Sequence, residues 1–112
     1  MKVNETELIE FFSVLPDEQP DEEKDFFGTT SFTVRRSHTV LYVSFCVHEP
    51  EVMIHLSEDG SDAPTYSALH RDVESVELRR EPDGIQWLHI LSKHNAVLIR
   101  PDPIQVKLKE RC

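Results

Sequence analysis

Alternation of side-chain type along most of the sequence limits the folds open to this chain. From Thr29 onward, β-branched and aromatic residues alternate with polar ones at a period of two, as expected for half-buried strands. The pattern predicts eight strands separated by short polar or proline-containing connections. They lie near residues 30 to 36, 39 to 48, 51 to 57, 65 to 70, 73 to 81, 85 to 92, 95 to 100 and 104 to 109.

The connections between these strands favour antiparallel pairing. Glu49-Pro50 and Glu81-Pro82-Asp83-Gly84 place proline and glycine where tight turns need them. Parallel pairing would require crossovers of about a dozen residues or more, usually helical, and the sequence after Thr29 offers none. We therefore expect a mostly antiparallel meander sheet of about seven or eight strands, curled into an open barrel or a sandwich.

One helix is predicted before the sheet. Asn4 followed by Glu7 resembles a capping box, so the helix should begin near Glu5. Its apolar residues recur at helical spacing and form one inward-facing stripe until Pro16 ends the run. The residues of this stripe are Leu8, Phe11, Phe12 and Leu15. The fold class is then α+β, mainly β, with the N-terminal helix packed on the sheet.

Negative charge is concentrated near the start of the sequence. The net charge is −9, and residues 1 to 25 carry nine acids against two lysines. We interpret residues 16 to 28, the acidic segment, as a proline-containing loop within a single domain of residues 1 to 112. Binding to nucleic acid or to an anionic membrane needs a basic surface, so these partners are not expected. A basic protein partner is favoured instead.

Two further features predict a cytoplasmic protein. No apolar run approaches the roughly 18 residues of a membrane span, and acids interrupt the N-terminal stretch where a secretory signal would be apolar. The cysteines are two, Cys46 and Cys112, without the spacing of a disulfide framework or a CxxC site. We expect Cys46 to be a small residue in or near the core.

Alternation divides the strands into an apolar face and a mixed face. The apolar positions are Leu41, Val43, Phe45, Val47, Val52, Ile54, Leu56, Val76, Leu78, Leu88 and Ile90. The mixed positions are Tyr42, Ser44, Cys46, His48, Met53, His55, Trp87 and His89. If the strands pair in sequence order, the mixed positions share one surface. That surface is interpreted as a second core layer, as a protein-binding surface rich in Tyr, Trp and Met, or as the lining of a small-ligand pocket.

Motifs for chemistry are missing from the sequence. Six histidines are present, but no HxH or HExxH spacing occurs. Phosphate-binding GxGxxG and GxxxxGK loops and a nucleophile elbow are also absent. We predict no catalytic residue, no metal and no cofactor.

The function favoured by the sequence is protein binding without catalysis. We expect an interaction module, an inhibitor or immunity-type protein, that binds a basic partner. Its candidate binding residues are Tyr42, Met53, His55, Trp87, His89, Asp21, Glu22 and Glu23. The alternative is a ligand-binding or small enzymatic β-barrel-like module whose pocket is lined by Tyr42, His55, Trp87 and His89. A third interpretation is a homodimer formed through residues 104 to 109 or through the mixed face.

Overall fold

The computed structural model describes residues 4–16, 29–46, 49–58, 60 and 65–110. Within these residues the chain forms one helix and eight strands, and the strands lie within about two residues of their predicted bounds. The elements are α1 (Glu5–Phe12), β1 (Thr29–Arg36), β2 (Thr39–Cys46), β3 (Glu51–Glu58), β4 (Tyr66–His70), β5 (Val73–Arg80), β6 (Gln86–Ser92), β7 (Asn95–Pro101) and β8 (Ile104–Glu110).

The strands form two antiparallel sheets of four, and the mainly β, α+β fold class is confirmed. Sheet 1 has the order β1-β2-β3-β4, and sheet 2 has the order β5-β6-β7-β8. The predicted antiparallel meander is present, but as two four-stranded halves instead of one sheet of seven or eight strands. Neither sheet closes on itself, so the predicted barrel or sandwich curvature is not confirmed.

The break between the sheets lies at the two residues that join β4 to β5. Asp72 has a positive φ of 55°, a left-handed conformation that directs the chain away from β4. The Val73 N–H then donates to the Pro50 carbonyl at 2.8 Å, beyond the end of β4. The β4–β5 connection is as short as a hairpin turn, but the strand that follows it belongs to the second sheet.

One face of each sheet contributes to a shared hydrophobic core. Burial of these alternate residues removes apolar surface from water, which is the main stabilising term in folding. The predicted apolar positions in β2, β3 and β6 are buried as expected, except that Leu56 is only partly buried. The buried members of this core are Leu8, Phe12, Phe32, Val34, Leu41, Val43, Phe45, Val52, Ile54, Val73, Leu88, Ile90, Val97 and Ile99.

The helix begins where the sequence predicts and ends earlier. The Glu7 N–H donates to the Asn4 side chain at 3.2 Å, which confirms the N-terminal cap. Ser13 has a φ of 58° and its N–H donates to the Ile9 carbonyl at 2.8 Å, so the helix ends at Phe12, four residues before Pro16. Leu15 is consequently 76% exposed, and its predicted place in the inward stripe is wrong.

Helix α1 packs on β1, and its buried face reaches the shared core. The Phe12 and Phe32 ring centroids are 5.2 Å apart. An Arg36 guanidinium N–H donates to the Phe12 carbonyl at 3.5 Å, at the end of β1. Among the described residues, no helix has the length and apolar character required to cross a membrane.

Candidate functional site

Tyr42, Met53 and His55 lie together on the face of sheet 1 that points away from the core. Tyr42 pairs with His55 across β2 and β3, and Met53 lies two residues from His55 on the same face. The Tyr42 and His55 ring centroids are 5.9 Å apart. The structure therefore brings together three of the residues predicted to bind a partner.

Hydrogen bonds hold the polar side chains of this face in place. The Tyr42 hydroxyl donates to Ser31 Oγ at 3.1 Å, and the Ser31 hydroxyl donates to Ser44 Oγ at 3.2 Å. Ser67 Oγ and His55 Nδ1 are 2.8 Å apart. Local bonds of this kind restrict rotamers, so the aromatic pair is fixed before any partner arrives.

Exposed apolar groups and low charge distinguish this face. Met53 is 36% exposed and Leu69, its partner on β4, is 42% exposed. The charged residues of β1 to β4 that share the alternation of Tyr42 are Arg35 and Glu51, both near strand ends. We call this surface, formed by Tyr42, Met53, His55, Ser67 and Leu69, the outer face of sheet 1.

Trp87 and His89 do not join that surface. They lie on β6 of sheet 2, on the face that points away from the shared core, because the chain changes sheets at Asp72. The predicted common surface and the predicted pocket lined by Tyr42, His55, Trp87 and His89 are therefore wrong.

The environment of Trp87 and His89 is more buried than that of Tyr42 and His55. Trp87 is 4% exposed and His89 is 8% exposed. Trp87 packs in a second, smaller cluster on this side of sheet 2, with Leu91, Ala96 and Leu98. Long charged side chains cover the cluster, and Lys107 Nζ lies 4.7 Å from the centroid of the Trp87 ring.

His89 lies between charges of both signs. Its Nε2 atom is 3.3 Å from a Glu81 carboxylate oxygen, but the contact does not have the geometry of a hydrogen bond. Burial lowers the pKa of His89, and the positive charges of Arg79 and Lys109 lower it further, against an opposing effect of Glu81. The imidazole is therefore held in its neutral form near pH 7.

A groove of about 340 Å³ opens beside Trp87. The β5–β6 turn forms one rim, held by a Gly84 N–H to Glu81 carbonyl bond of 2.9 Å and by the Asp83 carboxylate, which accepts from the Ile85 N–H at 2.9 Å. Strand β8 forms the other rim. The residues of this Trp87 groove are Glu81, Pro82, Asp83, Trp87, Leu98, Lys107 and Lys109.

Several candidate residues fall outside the described part of the chain. Asp21, Glu22 and Glu23, with the rest of residues 17 to 28, are among them, as are His48 and Cys112. Cys46 is partly buried at the end of β2, pairing with Glu51. Within the described residues, no three His, Cys, Asp or Glu side chains cluster as metal ligands would.

Sequence reasoning missed the residues that complete both surfaces. Leu69 and Ser67 follow from the β3–β4 register, which sequence alone does not give. Lys107 and Lys109 lie two residues apart on β8, and this spacing places them on one side of a strand. That spacing was the available signal for a basic rim.

Comparison with known proteins gives one informative likeness. No family model matches the chain, and no curated protein matches its sequence. The fold is similar to that of a chain in a solved structure described as a contact-dependent growth inhibition toxin - immunity protein complex from Klebsiella pneumoniae 342. The TM-score is 0.76 at 20% sequence identity, over 97% of this chain and 95% of that chain. At this identity the likeness establishes a shared fold along nearly the whole chain.

Proposed function

We propose that this chain is a non-enzymatic protein-interaction module of the immunity type, which binds a toxic protein and blocks its action. The observation that carries the proposal is the fold shared, over nearly the full length of both chains, with a component of a toxin and immunity protein complex. Fold alone does not fix function, so the chemistry of the surface must also suit protein binding. The net charge of −9 and the composition of the outer face of sheet 1 both suit it.

The outer face of sheet 1 is the proposed contact surface. Tyr42, Met53 and His55 combine aromatic and thioether groups with few charges, as is common at the centre of protein interfaces. Because the Tyr42 hydroxyl and His55 Nδ1 are already hydrogen-bonded to neighbouring serines, these two side chains would lose little freedom on binding.

The acidic segment supplies the proposed long-range attraction. Asp21, Glu22 and Glu23 lie in a stretch whose charge would speed encounter with a basic partner. Residence time would then depend on the contacts made by the outer face of sheet 1. We further propose that residues 1 to 112 form one domain. The proposed location of the protein is the cytoplasm.

Self-association competes with this proposal. A homodimer formed through β8 or through an outer sheet face would occupy surfaces that a partner needs. Equilibrium sedimentation over a wide concentration range separates the two interpretations. We expect a monomer at every concentration. A dimer that persists at low concentration would favour the homodimer interpretation instead.

Affinity capture followed by a binding measurement tests the proposal. The tagged chain is incubated with lysate of the cells that produce it, washed at low and at high salt, and the retained proteins are identified by mass spectrometry. We expect a single basic protein that binds the purified chain at one-to-one stoichiometry in calorimetry. Retention of no protein, or of one that does not bind the purified chain, contradicts the proposal.

A further inference from the structure

The Trp87 groove has a chemistry unlike that of the outer face of sheet 1. Its floor is formed by Trp87 and Leu98, which are 4% and 3% exposed and so leave a small apolar area open. One rim is acidic, with Glu81 and Asp83, and the other is basic, with Lys107 and Lys109. A bound segment would therefore meet an apolar surface between two rims of opposite charge.

The ammonium group of Lys107 lies against the Trp87 ring. It lies 4.7 Å from the centroid of the Trp87 ring, within the range of a cation–π contact. Among the described residues, neither Lys107 nor Lys109 has a carboxylate oxygen within 4.0 Å. The two lysines alternate onto the same side of β8, so their side chains begin about 7 Å apart.

One acid of the opposite rim is hydrogen-bonded to the backbone, and the other lies near His89. The Asp83 carboxylate accepts from the Ile85 N–H at 2.9 Å, and a Glu81 oxygen lies 3.3 Å from His89 Nε2. Arg79 lies on β5, at the other edge of sheet 2, and its guanidinium is paired with the Glu77 carboxylate. The two basic residues that line the groove, Lys107 and Lys109, therefore both lie on β8.

We propose that the Trp87 groove binds an acidic side chain of a partner protein, with its carboxylate between Lys107 and Lys109 and an adjoining apolar side chain against Trp87 and Leu98. Binding of this kind leaves the contact between Lys107 and Trp87 intact and adds charge-assisted hydrogen bonds to free ammonium donors. A basic side chain would have to displace Lys107 from the ring before it could occupy the same place.

This site would make the proposed partner binding more specific. That its ligand is a protein rests on the proposed function. A partner that is basic overall would need one acidic residue in register with Lys107 and Lys109. A basic side chain opposite Lys107 and Lys109 would be repelled, so other basic proteins would bind less well.

Peptides provide a test that does not require the natural partner. Trp87 is the single tryptophan of the sequence, so its indole N–H gives one resonance that reports on the groove. The 15N-labelled full chain is titrated with acetyl-Leu-Glu-Leu-amide, and separately with the Gln and Lys versions of this peptide. We expect saturable binding of the Glu peptide in the millimolar range and weaker binding of the other two.

Variants of the basic rim locate the binding site. Lys107→Gln and Lys109→Gln should each raise the dissociation constant of the Glu peptide about two- to fivefold, as expected for an exposed ion pair. Lys93→Gln, in the exposed β6–β7 turn, removes the same charge elsewhere and should leave that constant unchanged. Amide spectra of the variants show whether each is folded.

Three results would overturn the inference: tighter binding of the Lys peptide, no saturable shift with the Glu peptide, or unchanged binding in both rim variants. Each could occur while the chain still binds a protein partner through sheet 1. Conversely, the peptides can bind as expected even if no toxic partner exists. The failure of this inference is therefore distinguishable from failure of the proposed function.

Discussion

Tyr42 and His55 lie directly opposite each other on β2 and β3, with ring centroids 5.9 Å apart on the outer face of sheet 1. The Tyr42 hydroxyl donates to Ser31 Oγ, and His55 Nδ1 is 2.8 Å from Ser67 Oγ. The pair is thus oriented by its own neighbours, beside the exposed apolar groups of Met53 and Leu69. Such an arrangement suits recognition of a protein surface more than enclosure of a small molecule.

Removal of the Met53 side chain should weaken binding of the captured partner. Met53→Ala should raise the dissociation constant about fivefold, because an exposed thioether at the centre of an interface contributes about 1 kcal/mol. Calorimetry measures the effect. Leu108→Ala is the matched control, since Leu108 is 61% exposed on β8 of the other sheet. Equal losses for the two variants would contradict the assignment of the contact surface to sheet 1.

Removal of charge from the acidic segment should slow association. With Asp21, Glu22 and Glu23 all replaced by Ser, we expect an association rate about tenfold lower at low salt and an unchanged dissociation rate. Stopped-flow mixing at several salt concentrations measures both. The rates of the variant and the natural sequence should converge at high salt, where such attraction is screened. An identical association rate at low salt would rule out a steering role.

Phe32 should be among the residues most important for stability. Its ring is completely buried, and its centroid lies 5.2 Å from that of Phe12 and 6.3 Å from that of Phe45. Phe32→Ala should lower the free energy of unfolding by about 3–5 kcal/mol, through lost burial and the cavity that remains. Urea unfolding measures this change. In the exposed control Leu108→Ala, the change should stay within about 0.5 kcal/mol.

Stability should decrease as the pH falls below about 6.5, and His89 should account for part of the decrease. Burial and the charges of Arg79 and Lys109 lower the pKa of His89 in the folded chain, with Glu81 opposing them and Glu77 facing it from β5. The unfolded chain therefore takes up this proton at a higher pH than the folded chain. The stability present above pH 6.5 is lost as the pH falls through the lowered pKa.

Urea unfolding at pH 7.5 and at a mildly acidic pH checks this expectation. His89→Gln should show a smaller loss between the two pH values than the natural sequence. Part of the loss should persist, because burial also lowers the pKa of His70. His94→Gln, in the exposed β6–β7 turn, should not reduce the loss. The same loss in His89→Gln and in the natural sequence would exclude a contribution from His89.

Local patterns predicted the elements of this fold well. Asn4 caps the helix through the Glu7 N–H, and all eight strands lie close to the predicted segments, although β6 and β7 are buried on both faces and do not alternate. Gly84 has a φ of 86° and completes the predicted β5–β6 turn. These features depend on residues close in sequence, so short-range physical rules were sufficient.

Assembly of the strands could not be predicted in the same way. The separation into two sheets depends on the positive φ of Asp72 and on the bond from Val73 to Pro50. Arg71-Asp72 carries no strong turn signal, so a continuous sheet was the simpler expectation. In a continuous sheet, Trp87 and His89 would share the face of Tyr42 and His55. In the structure they lie on the other sheet, on the opposite side of the core.

A growth measurement tests the central claim most directly. The captured partner is expressed in bacteria from an inducible promoter, alone and together with this chain, and growth is followed after induction. We predict that the partner alone arrests growth, that co-expression of this chain restores it, and that the chain by itself is harmless. Growth unaffected by the partner, or arrest that persists in the presence of this chain, would contradict the immunity-type function.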